Sequence, residues 1–187
     1  MYTQNIIDTL ERTPIIAATD SAGWQKAIIS DVEVLFHLSA NILTIENEIK
    51  TAKANSKYIF VHIDLAEGIG KDKTGIKWLA ELGVDGIIST RAQLIRSAKE
   101  CGLTAIQRFF VLDSKGMASI SEMIDTTKPD LIEIMPGVIP KVLSIFSEKG
   151  IPVIAGGLIE TKAEVTVALS SGAFAVSTSK SNLWSVL

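Results

Sequence analysis

Ile151-Pro152-Val153-Ile154-Ala155-Gly156-Gly157, then a helical run, then Gly172-Ala173-Phe174-Ala175-Val176-Ser177-Thr178-Ser179: this stretch decides how the chain folds. Two short apolar runs each end in small residues that leave backbone N–H groups open, Gly-Gly in one and Ser-Thr-Ser in the other. As neighbouring parallel strands they bring both ends side by side and form a compact anion cradle. After the seventh and eighth strands of a β/α barrel, such a cradle is the usual phosphate site.

The same pattern extends outward in four parallel phrases. Glu81-Leu82-Gly83, Glu100-Cys101-Gly102, Glu148-Lys149-Gly150 and Ser170-Ser171-Gly172 each lead into an apolar run. In each, an amphipathic segment ends at a glycine able to take the left-handed conformation that stops a helix. A buried strand follows within the short span expected of an αβ loop. The strands read from the sequence are 15–18, 33–38, 58–65, 84–89, 105–112, 131–135, 153–155 and 173–177. The helices between them lie near 21–29, 45–54, 73–82, 91–101, 116–127, 139–148 and 161–170. Thr161-Lys162-Ala163-Glu164 reads as a capping box that starts the helix after Gly-Gly.

Strands that are apolar almost throughout belong to a parallel sheet covered on its outer face. Eight of them predict a small TIM-like (β/α)8 barrel in one domain over 1–187, with a short or missing final helix after Ser181. The competing open, doubly wound sheet lacks support, since no glycine-rich turn follows the first strand.

With 187 residues, 47% hydrophobic and 21% charged, the chain suits an ordinary globular domain. A net charge of −3 argues against a surface dominated by nucleic-acid phosphate contacts. The lone Cys101 allows no internal disulfide, and at a helix end it reads as an inert thiol. No apolar run is long enough to span a membrane and the opening residues do not read as a signal peptide, so a cytoplasmic protein is expected.

Polar residues gather at the C-terminal ends of the strands, where barrels place their sites. His62 and Asp64, two apart, are expected on one side of the third strand and could serve proton chemistry or bind a ligand's hydroxyls. Arg108, inside an apolar strand, needs a partner such as Glu133, Asp64 or a ligand oxygen. His37 reads as a core histidine. No close metal-ligand spacing is present, and no metal or catalytic residue is assigned. The Gly156-Gly157 and Ser177-Thr178-Ser179 pair is read as phosphate-binding. An enzyme acting on a small phosphorylated substrate is the alternative to a ligand sensor.

His62-Ile63-Asp64-Leu65-Ala66-Glu67-Gly68, Asp85-Gly86-Ile87-Ile88-Ser89-Thr90, Gln107-Arg108, Glu133-Ile134-Met135-Pro136-Gly137, 151–157 and Ser177-Thr178-Ser179 together resemble the glycerol-3-phosphate-responsive antiterminator family, in order through almost the whole chain. The resemblance implies a TIM-like barrel that binds glycerol 3-phosphate as an effector and needs no cofactor. It further implies a regulator acting on the leader mRNA of glycerol-utilisation genes, with homo-oligomerisation left open. On this resemblance Gly156, Gly157, Ser177, Thr178 and Ser179 hold the phosphate, while Asp64, Arg108 and Glu133, with His62 beside them, orient the glycerol end.

Overall fold

Apolar runs too short for helices and too uniform to face water find their partners edge to edge. In the computed structural model, which describes residues 2–185, they are β1 (Ile15–Thr19), β2 (Val34–His37), β3 (Tyr58–His62), β4 (Gly86–Ser89), β5 (Thr104–Phe110), β6 (Leu131–Met135), β7 (Val153–Gly156) and β8 (Ala175–Thr178). Each pairs in parallel with the next, and β8 returns to β1 with Ile16 opposite Ser177, so the eight strands close a barrel. Outside it lie α2 (Trp24–Ile29), α3 (Ile45–Ala54), α4 (Lys73–Leu82), α5 (Ala92–Glu100), α6 (Ser114–Thr127), α7 (Pro140–Ser147) and α8 (Lys162–Ser170). After β8 comes only a 3-10 turn, Ser181–Leu183, in place of a final helix. The expected TIM-like fold is the observed one.

The local signals act as chemistry requires. Gly83, Gly102, Gly150 and Gly172 all have φ between 74° and 96°, the left-handed conformation that ends the preceding helix. Thr161 and Glu164 form the reciprocal capping box, each side chain bonding the other's backbone.

Two readings are corrected. A helix absent from the expected pattern, α1 (Tyr2–Arg12), precedes the first strand. Its Ile6 and Leu10 are fully buried with Val34, Phe36 and Phe60, and its Thr3 hydroxyl meets that of Thr104 at 3.0 Å, at the start of β5. It therefore crosses the lower end of the barrel and plugs it. The second correction concerns β3, which stops at His62 instead of running to residue 65. Its neighbour β2 ends at His37, opposite Val61, so beyond His62 the strand has lost one side of its ladder. The chain closes a 3-10 turn, Ile63–Leu65, and Asp64 leaves the strand face that it was expected to share with His62.

Alternation sorts the strand residues into two cores. Ala17, Leu35, Ile59, Ile87, Ala105, Ile132, Ala155 and Val176 face the helices, while Ile16, Val34, Phe36, Phe60, Ile88, Ile106, Leu131, Ile154 and Ala175 fill the barrel. Phe36 and Phe60 pack with ring centroids 5.6 Å apart. A side chain on Gly86 would overlap the Phe60 ring, so this glycine makes room for one of the two phenylalanines of the inner core. At the lower rim two carboxylates clip strand starts together: Asp85 accepts from Ile59 N–H at 2.7 Å and Asp130 from Ala105 N–H at 2.8 Å.

The plug yields a stability prediction. Leu10→Ala should lower the unfolding free energy by about 2–4 kcal/mol in a urea titration. The exposed neighbour substitution Glu11→Ala should shift it by less than about 0.5 kcal/mol.

Candidate functional site

Two residues above the apolar inner layer, the next inward position becomes polar or vanishes on β3 and on β5 to β8, while β1 and β2 keep the apolar Ala18 and Leu38. Above Phe60, Ile106, Leu131, Ile154 and Ala175 stand His62, Arg108, Glu133, Gly156 and Ser177. Register places Arg108 opposite Glu133 and Gly156 opposite Ser177. Arg108 Nε donates to Glu133 Oε2 at 2.6 Å, and Ser177 Oγ donates to Oε1 at 2.6 Å. Both charges are at least nine-tenths buried, so each lacks water and depends on these partners. Gly156 completes the arrangement by omission: a Cβ there would strike the Glu133 carboxylate and the Ser177 hydroxyl.

Above this network opens a cavity of about 300 Å³, lined among others by Ala18, Arg108, Glu133, Met135, Gly157, Leu158, Ile159, Glu160, Ser177, Thr178, Ser179 and Lys180. Its wall consists of the loops after β7 and β8. Gly157 (φ 76°) and Leu158 (φ 61°) are both left-handed, the second at a cost of about 1 kcal/mol for a residue bearing a side chain. Thr178 ties the two loops together, donating from Oγ1 to Ile159 O at 2.7 Å and accepting from Lys180 N–H at 3.1 Å. Trp184 Nε1 donates to Thr178 O at 2.9 Å. Among the described residues, the amides of Leu158, Ile159 and Ser179 donate to no protein acceptor. Lys180 Nζ lies 2.9 Å from Glu160 Oε1.

Six of the nine residues singled out from the sequence meet at this cavity: Arg108, Glu133, Gly157, Ser177, Thr178 and Ser179. Gly156 lies beneath it, its missing side chain taken up by Glu133. The hydroxyls of Ser177 and Thr178 already have acceptors, which leaves backbone N–H groups, the Ser179 hydroxyl and the Lys180 ammonium as the donors the wall can offer.

Asp64 stands apart, outside the cavity lining. It accepts from Ser89 Oγ at 2.9 Å and from Thr90 N–H and Oγ1 at 2.7 and 3.0 Å, with Arg91 Nε at 3.5 Å. Burial opposes its charge, but these hydrogen bonds outweigh burial and hold the carboxyl below its ordinary pKa. Asp64 thus anchors the loop after β4.

His62 is buried beside the network, and its Nδ1 has no hydrogen-bond partner among the described residues. Burial first, then the Arg108 charge, lowers its pKa to about 4 against the pull of Asp64 and Glu133, so the ring is neutral near pH 7. His37 behaves as a core histidine, stacked on Trp24 at 4.7 Å with Nε2 2.9 Å from Glu48. Among the described residues, no three His, Cys, Asp or Glu side chains gather as a metal site. Among the same residues, no helix is long and apolar enough to cross a membrane. The sequence reading missed Lys180 and Glu160; the available signal was a lysine immediately after Ser-Thr-Ser.

The model of a family described as glycerol-3-phosphate responsive antiterminator matches residues 15–184. The chain belongs to this family. It is 38% identical to the crystal structure of a glycerol uptake operon antiterminator regulatory protein from Listeria monocytogenes, with a TM-score of 0.87 over 92% of this chain and 95% of that one. A glycerol uptake operon antiterminator-related protein from Thermotoga maritima is 35% identical, with a TM-score of 0.82 over 91% and 96% of the two chains. The uncharacterized protein YgcP of Escherichia coli (strain K12) is 38% identical over 97% of this chain and 96% of its own length.

Two predictions follow from the buried network. Gly156→Ala should destabilise the fold by about 1–3 kcal/mol in denaturant titration, because the Glu133 carboxylate must move to admit one methyl group. A folded-state pKa of about 4 for His62 lies below the roughly 6.5 of an unfolded histidine, so the unfolded chain binds the extra proton between these values. Its contribution is therefore intact above about pH 6.5 and falls as pH drops towards 4, by on the order of 3 kcal/mol. Chemical denaturation of His62→Gln across that window should show a correspondingly shallower slope than the parent.

Proposed function

We propose that this protein senses glycerol 3-phosphate and, according to its occupancy, engages the leader mRNA of glycerol-utilisation genes to prevent premature termination of transcription. The observation that carries the reading is the composition of one cavity. Its wall offers unpaired amides at Leu158, Ile159 and Ser179 and the Lys180 ammonium; its floor holds Arg108, Glu133 and Ser177. About 300 Å³ is at the small end for ligand pockets and suits a three-carbon polyol phosphate. Membership in a family described as glycerol-3-phosphate responsive supports the same ligand.

The floor also orients that ligand. A phosphate about 4 Å from the Glu133 carboxylate would face repulsion of roughly 4 kcal/mol per unit charge at the effective dielectric of a protein surface. The phosphate therefore takes the wall and the hydroxyls take the floor, where Glu133 accepts and Arg108 donates. The wall is also the phosphate end of other barrels.

Binding without turnover fits the state of the acid–base groups. Glu133 is held by two donors, Asp64 by three hydrogen bonds, and His62 is neutral with its ring buried. The alternative, an enzyme using His62 as a base on a small phosphorylated substrate, finds its support in the unpartnered His62 Nδ1. It predicts product from glycerol 3-phosphate on prolonged incubation.

Isothermal calorimetry should show glycerol 3-phosphate binding that Ser179→Asp, an exposed position on the wall, weakens at least tenfold. Filter binding to the cognate leader RNA should then change by at least about fivefold at saturating ligand, since a useful coupling is about 1–3 kcal/mol. Leader affinity indifferent to ligand would remove the sensor claim, and product formation would favour the enzyme.

A further inference from the structure

The cavity wall carries its own anion. Glu160, in the loop after β7, reaches across to Lys180, in the loop after β8, and the pair lies at the same cavity as the unpaired amides. The main chain is fixed at both residues. Glu160 N–H donates to Glu164 Oε2 at 2.8 Å within the α8 cap, and Lys180 N–H donates to Thr178 Oγ1. The two side chains are 58% and 44% exposed, so they can rotate away from each other without disturbing the core. An exposed pair of this kind holds weakly. A lysine facing a doubly charged phosphate that amides also grip makes a stronger, charge-assisted contact.

We infer that Lys180 anchors the ligand's phosphate and that Glu160 is a built-in competitor for it. Binding is then an exchange, in which a phosphate oxygen replaces the Glu160 carboxylate at Nζ. The exchange rests on the reading of this cavity as the effector site. It adds a consequence for the protein: the loops after β7 and β8 lose the ionic clasp between them and keep the Thr178–Ile159 hydrogen bond. The ligand thereby alters the contact between two loops on the surface it enters.

The test is a calorimetric titration of four proteins with inorganic phosphate and, separately, with glycerol 3-phosphate: the parent, Glu160→Gln, Lys180→Gln and the double variant. Matched thermal melts check the fold. Glu160→Gln should tighten both anions about two- to fivefold, the range an exposed pair can contribute. Lys180→Gln should weaken both at least tenfold. In the Lys180→Gln background, Glu160→Gln should give no gain, because there is no cation left to release. An equal gain in both backgrounds would make Glu160 a plain repulsive charge and overturn the exchange, as would unchanged affinity in either single variant. If inorganic phosphate shows the pattern and glycerol 3-phosphate binds no better, the exchange stands and the glycerol reading fails. If glycerol 3-phosphate binds all four proteins alike, the reverse holds, and if the parent binds neither anion, both fail.

Discussion

The contact between Arg108 and Glu133 is the constraint on which the upper half of the barrel depends. Two opposite charges removed from water are tolerated when they are paired and hydrogen-bonded. Here the partners come from different strands. Arg108 stands on β5, Glu133 on β6 and Ser177 on β8, while Gly156 on β7 supplies the empty space. A slip of one residue in any of these pairings would break the network, by turning Arg108, Glu133 or Ser177 toward the helices or by setting a side chain where Gly156 leaves space. The network therefore fixes the register of four consecutive strands, and with it the position of the cavity that those strands floor.

The two ends of the barrel divide the work. Below, apolar side chains, the α1 plug and the Asp85 and Asp130 clips hold strand starts in place. Above, most inward positions become polar and the loops carry open amides. The Asp85-Gly86 pair, part of the phrase that carries the family likeness, belongs to the lower end. Asp85 clips β3 to its neighbour and Gly86 yields space to Phe60, so its place in the pattern is architectural. Asp64 has a similar character on the upper rim, where its hydrogen bonds shape the loop after β4.

The barrel was legible because its signals are local. A glycine in left-handed geometry, an apolar run and a capping box each announce themselves within a few residues, and repetition gives their number. Helix α1 was not, since it ends without a glycine stop and its apolar stripe is short, Ile6, Ile7 and Leu10, with partners that lie across the barrel. Chemistry at the site was legible by residue type but not by occupancy. Ser177 and Thr178 read as free donors, yet Glu133 and the Ile159 carbonyl already accept from them. Arg108 could be seen to need a partner, and the choice among candidates depended on register. His62 and Asp64 separated because β3 loses its neighbour between them, which no spacing within β3 reveals.

The plug at the lower end has a consequence for solvent. A barrel sealed at one end is a blind well, and any water reaching its polar layer arrives by the same opening as a ligand. His62 Nδ1, which has no partner among the described residues, lies in that layer. Whatever fills the mouth thus also sets the humidity of the layer beneath it, and a ligand's fit is measured in the waters it displaces as well as the contacts it makes.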